Sequence, residues 1–150
     1  MAIQSQHETT QRENQYAVRV RMNSNPHTIY EAWTRGFDRW FAVPGSVHME
    51  PREGAEYSFE TEHEGKRHPH HGRFIHLEKD RLVEMTWITG EGVTEGAETV
   101  VSVEIAPEGT GSVVDLKHSG FPNEASMQRH EQAWVDVLGH QDRVLSKRGN

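Results

Sequence analysis

Thr99-Val100-Val101-Ser102-Val103-Glu104-Ile105 decides the reading of this chain. Val101, Val103 and Ile105 fall on one side of an extended segment, and Ser102 and Glu104 fall on the other. That two-residue period describes a strand with one dry face and one wet face. After a turn at Pro107 to Gly111, Val114 and Leu116 repeat the inward position while Asp115 and Lys117 point out. The two segments read as an antiparallel pair covered on one face only.

Upstream, the same alternation recurs. Leu82 to Ile88 and Gly72 to Leu77 read as strands joined by Glu78-Lys79-Asp80-Arg81. Glu56 to Thr61 is another strand, with Tyr57 and Phe59 on one face. A hairpin turn from Glu62 to Lys66 contains Gly65, and Arg52-Glu53-Gly54 is an earlier turn in a sheet region that begins near Val47. Gly90 to Gly96 holds three Gly and reads as a mobile loop. Tyr16 to Met22 alternates as a first strand, with Val18, Val20 and Met22 on one face. Residues 1–14 are polar and without aromatics, and read as a flexible tail ahead of a single domain spanning 15–150.

Helical signals bracket these strands. Asn25 as N-cap and Pro26 at the first helical position open a short helix carrying Ile29, Tyr30, Trp33 and Phe37, with Gly36 suited to its end. A second short turn covers Phe37 to Phe41 and includes Trp40. The closing helix runs from a cap at Asn123 to about Leu145, with Glu124 near its positive end. Met127, His130, Trp134, Val137, Leu138, Val144 and Leu145 share one broad face, on which Gln141 also falls. About 22 residues at about 1.5 Å rise span roughly 33 Å, enough to cross a whole sheet. Gly139 reads either as a close helix–sheet approach or as room for a ligand. The expected architecture is α+β, with a curved antiparallel sheet of about six to seven strands wrapped around a long C-terminal helix. Such an arrangement encloses a cavity.

At 150 residues, with only 33% hydrophobic, the core must be compact. A net charge of −7 without a basic stripe argues against nucleic acid and anionic membranes as partners. With all 11 His protonated, basic groups would exceed the 23 acidic ones by 4, so a solubility minimum is expected at mildly acid pH. The absence of Cys excludes disulfides, thiolate metal sites and a Cys nucleophile. No secretory leader and no membrane-length apolar run are apparent, and a cytoplasmic location is expected.

His63, His68, His70 and His71 crowd one hairpin, and His68 and His70 would share a strand face as two metal ligands could. With no further ligands in view, they read as surface His, and no metal is expected. Asp115, His118 and Ser119 do not make a triad: Asp115 and His118 point to opposite faces, and no nucleophile elbow is present. No phosphate loop or dinucleotide fingerprint occurs, so no cofactor is expected. His118 keeps the parity of Val114 and Leu116, and His130 lies on the helix face with Trp134. Both read either as core His with ordinary hydrogen-bond partners or as the polar groups that orient a ligand. Glu131 and Arg73 are weaker candidates for that second role.

Strand, helical pair, a run of antiparallel strands and a long final helix is the element order of the helix-grip (START-like, SRPBCC, Bet v 1-like) fold. The segment from Asn25 to Thr34, Asn-Pro-His-Thr-Ile-Tyr-Glu-Ala-Trp-Thr, resembles the opening helix of the Activator of Hsp90 ATPase homologue-like family. Trp40-Phe41, Gly72, Arg81 to Trp87, His118 to Phe121, and Ala133-Trp134 fall where that family has similar segments. The similarity covers about Tyr16 to Leu145. Ala133 replaces the family's usual Gly before the helix Trp, and Gln141 occupies a usually apolar position.

The resemblance implies a small apolar or amphipathic ligand held between the sheet and the last helix, without metal or nucleotide. The expected wall comprises Trp33, Trp40, Phe41, Tyr57, Phe59, Phe74, Met85, Trp87, Val103, Leu116, His118, Phe121, His130, Trp134, Val137 and Leu138. Two rival readings are a cyclase- or hydrolase-like enzyme using His118 or His130, and a stress or chaperone (Hsp90) accessory acting through its surface. A homodimer through a strand edge or helix face is compatible with all three.

Overall fold

In a computed structural model, residues 7–12, 15–89, 97–121 and 124–147 are described; the side chains of 7–12, 63, 124–133 and 147 lie outside that description. One antiparallel sheet carries eight strands: β1 (His7–Arg12), β2 (Gln15–Met22), β3 (His48–Met49), β4 (Glu56–His63), β5 (Lys66–Glu78), β6 (Leu82–Thr89), β7 (Thr99–Glu108) and β8 (Gly111–Ser119). Their order across the sheet is β1-β2-β8-β7-β6-β5-β4-β3. Helix α1 (Pro26–Trp33) and a 3₁₀ turn at Phe37–Arg39 follow β2, and α2 (Glu124–Lys147) closes the chain. This is the helix-grip α+β fold.

Side-chain period dictates the buried face. Tyr16, Val18, Val20 and Met22 on β2, Val114, Leu116 and His118 on β8, and Val101, Val103 and Ile105 on β7 are all buried. Val83, Met85 and Trp87 on β6 continue the layer, as do Phe74 on β5 and Tyr57 and Phe59 on β4. Trp134, Leu138, Gln141 and Leu145 recur along α2 at helical spacing and are buried beneath it. The Asp142 carboxylate pins α2 to the end of β2, accepting from the backbone N–H of Asn23 at 2.8 Å and from its side-chain amide at 3.0 Å. At α1, the Asn25 side chain accepts from the Thr28 N–H at 2.9 Å, and Pro26 sits at the first turn.

Several expectations need correction. His7–Arg12, read as part of a tail, forms the outermost strand because the free edge of β2 offers a ready ladder of backbone donors and acceptors. With it and the two-residue β3 counted, the sheet carries eight strands among the described residues. β5 begins at Lys66, not Gly72. Glu64 and Gly65 both take positive φ (53° and 79°), a two-residue turn whose twist holds the polar stretch 66–71 in register with β4. Pro107 lies within β7, paired with Ser112, and only Gly109 and Thr110 turn. Pairing with β6 has already ended at Glu104, so the missing N–H of Pro107 interrupts no ladder. Gly139 does not touch the sheet: a Cβ there would meet only Arg143, at 3.5 Å. The expectations for the 90–96 loop, the Asn123 cap and the side chains of Glu124, Met127, His130 and Glu131 fall outside the described residues.

Candidate functional site

The aromatic residues of α1, the 3₁₀ turn, β4, β6 and α2 meet in one cluster. Trp33 lies 5.2 Å from Trp40 and 5.7 Å from Trp134, between ring centroids. Trp134 in turn lies 5.3 Å from Trp87 and 6.4 Å from Phe41. Phe59 stacks on Phe37 at 4.8 Å, and the Trp40 indole N–H donates to the Ala32 carbonyl at 2.8 Å. Each ring thus packs on rings from other elements, in the tilted and offset geometries that aromatic pairs favour. Of the expected wall, all residues with a described side chain are buried except Phe41 and Val137, which are half-buried.

His118 sits at one end of this cluster and is fully buried. Its Nδ1 accepts from the Trp134 indole N–H at 2.9 Å. An indole nitrogen can only donate, so the imidazole proton must reside on Nε2. Nε2 lies 2.7 Å from the Thr99 hydroxyl, to which it donates; that hydroxyl donates onward to the Trp87 carbonyl. Four elements, α2, β8, β7 and β6, are tied by one directional relay, and the ring is held in a single neutral tautomer. Neither nitrogen can exchange a proton with a substrate without breaking a bond in the relay. Phe121 covers the ring at 4.3 Å and stacks on Tyr16 at 5.7 Å.

His70, expected on a polar surface, is instead buried, stacked on Phe59 at 4.9 Å and edge-on to Trp87 at 5.3 Å. Its Nδ1 donates to the His68 carbonyl at 3.1 Å. The strand parity shared with Phe74 was the available signal, hidden by the charged and polar run around it. Among the described residues no group of three His, Asp or Glu could hold a metal. Arg73 is exposed on the outer face opposite Glu56, so it cannot orient a ligand inside. Asp115 also lies outside, paired with Arg19 at 2.7 Å.

Tyr57 and Gly72 form a second buried contact. The Tyr57 hydroxyl donates to the Thr86 carbonyl, and burial pushes its pKa far above the ordinary value. Gly72 leaves the space for this approach, because a Cβ would collide with the Thr86 carbonyl. Two open depressions of about 590 and 400 Å³ lie along β3 to β6, the smaller one bordered by Tyr57, Gly72 and Thr86 themselves. Ser58 and His71 line both, and Glu60, Arg67 and Arg73 contribute charge. Phe59 and His70, stacked on each other at the edge of the aromatic cluster, border the larger one, so polar and apolar groups share its lining.

Three buried side chains have polar atoms without a hydrogen-bond partner among the described residues: the Ser24 hydroxyl, the Trp33 indole N–H and both ends of the Gln141 amide. An orphaned buried polar group of this kind costs about 1–3 kcal/mol.

The model of the Activator of Hsp90 ATPase homolog 1-like protein family matches residues 23–145. The chain belongs to that family. Solved structures with the same fold include protein CV1439 from Chromobacterium violaceum, at 17% identity and TM-score 0.76, covering 89% of this chain and 98% of that one. A protein from Arthrobacter aurescens aligns at 15% identity and TM-score 0.74, covering 93% and 91% of the two chains. CalU16 from Micromonospora echinospora aligns at 22% identity and TM-score 0.65, covering 88% and 76%. At such identities the likeness is one of fold, and the neighbours' ligands do not transfer. No curated protein matches the sequence significantly. No helix among the described residues is long and apolar enough to cross a membrane.

Proposed function

We propose that this member of the family binds a small apolar or amphipathic molecule between its sheet and α2, without metal or nucleotide. The observation that carries the reading is the aromatic cluster of Trp33, Phe41, Trp87 and Trp134, at the junction of α1, β6 and α2. An apolar wall with a few fixed polar groups is the usual composition of a small-molecule site. His118 supplies one such group, held neutral and in one orientation. The fold is consistent with ligand binding.

All four Trp of the chain lie in this cluster, so intrinsic fluorescence reports on it directly. A bound apolar molecule should shift the emission and perturb the amide NMR signals of β6, β8 and α2 together. Unchanged fluorescence and spectra across a broad panel of hydrophobic compounds would remove the reading. Native mass spectrometry of gently purified protein gives an independent check through any co-purifying small molecule.

A further inference from the structure

Gln141 is fully buried on the inward face of α2, one turn from Leu138 on one side and from Leu145 on the other. Neither its amide oxygen nor its amide nitrogen has a partner among the described residues. A structural role alone would be served better by Leu or Met, which fill the same space without stranding two polar atoms.

The surroundings narrow what Gln141 could meet. Asn23 is hydrogen-bonded through its backbone and its side chain to Asp142, the residue after Gln141. The next residue, Ser24, carries a second orphaned hydroxyl, itself fully buried. Trp33, at the far end of α1, touches Trp134, roughly 10 Å back along α2 from Gln141. Contacts to α2 are thus made just before α1, at Asn23, and at its last residue, Trp33, and an unpartnered polar atom belongs to each place, in the Ser24 hydroxyl and the Trp33 indole N–H. No Lys, Arg, Asp or Glu is buried among the described residues. A carboxylate head group would bring an unpaired charge into this interior, at high desolvation cost.

We propose that Gln141 is the polar anchor of the ligand site and that it selects a neutral group with adjacent N–H and C=O, a primary amide or lactam. Such a group accepts from the Gln141 NH₂ and donates to its carbonyl oxygen, satisfying both orphaned atoms at once. The ligand's apolar body then extends toward the aromatic cluster. This inference rests on the ligand-binding reading above.

The test compares octanamide, methyl octanoate and octanoate, which share a chain and differ in head group. Trp fluorescence gives the affinities, and the Gln141 side-chain NH₂ signals in a ¹⁵N spectrum report the contact without any mutation. The amide should bind at least about ten-fold tighter than the ester or the anion and shift those signals. Gln141→Leu should erase that preference, and it should melt higher than the wild type without ligand; Gln141→Met serves if the Leu variant misfolds. Equal binding of all three compounds, or unmoved Gln141 signals on amide binding, would overturn the anchor and leave the apolar site standing. A lower melting temperature in both variants would show the amide to be satisfied internally and would also overturn it. If none of the three compounds nor the wider panel binds, the ligand-binding reading itself fails, and the anchor with it.

Discussion

The indole N–H of Trp134 donates to Nδ1 of His118 across 2.9 Å, and this bond is a direct polar link between the closing helix and the sheet. Trp134→Phe keeps an aromatic ring and removes the donor, leaving a buried imidazole nitrogen unpartnered. The variant should lose about 1–3 kcal/mol beyond what the smaller ring costs. Trp33→Phe is the control, since its indole N–H has no partner among the described residues. Urea unfolding with unchanged slope should place the Trp134 variant well below the control.

Gly72 and Gly139 predict opposite outcomes for the same substitution. Gly72→Ala drives a Cβ into the Thr86 carbonyl, which belongs to the neighbouring strand and cannot swing aside. It should fall at the upper end of the about 1–3 kcal/mol that overpacking costs, and the Tyr57 hydrogen bond should weaken with it.

Gly139→Ala meets only ordinary contact and lies in the interior of α2. It should raise stability by about 1 kcal/mol through helix propensity alone. Thermal unfolding separates the pair; a destabilised Gly139→Ala would point to a packing demand on that face.

The His76 pKa is raised above 6.5, chiefly by a hydrogen bond to Glu78, with the charges of Glu53 and Glu84 adding to it. Because the folded protein holds this proton more tightly than the unfolded chain does, the contribution is fully present below pH 6.5 and is lost as pH rises through the elevated folded value. The group is solvent-exposed, so the effect on stability is small and screened by salt. An NMR titration should place His76 above 6.5, and Glu78→Gln should bring it down toward that value. A titration at or below 6.5 in the wild type would contradict the assignment.

Much of the fold was legible because its strands obey a strict two-residue period. Val101, Val103, Ile105, Val114 and Leu116 announce their own burial, and His118 follows from their parity. Lys66 to His71 was opaque for the opposite reason: its side chains are polar throughout, and the Glu64-Gly65 turn rather than hydrophobicity holds it in the sheet. His70 was therefore missed although it keeps the parity of Phe74. β1 carries no apolar pattern, since an edge strand is held by backbone pairing to β2. Gln141 stood out as a polar residue on an apolar face, but only its unpartnered burial showed what that could mean. The roles of Thr99 and Trp134 around His118 depend on distances that no spacing encodes.

The pairing of β2 with β8 sets when this molecule can form. Val18 lies against Leu116, and Val20 against Val114, so the second strand made finds one neighbour only near the end of synthesis. Folding must close a loop of about two-thirds of the chain before that ladder can form, which places it among the slower, high-contact-order topologies. Until β8 emerges, β2 has β1 on one edge and an open edge on the other, and it is in that interval that the growing chain is most exposed to aggregation.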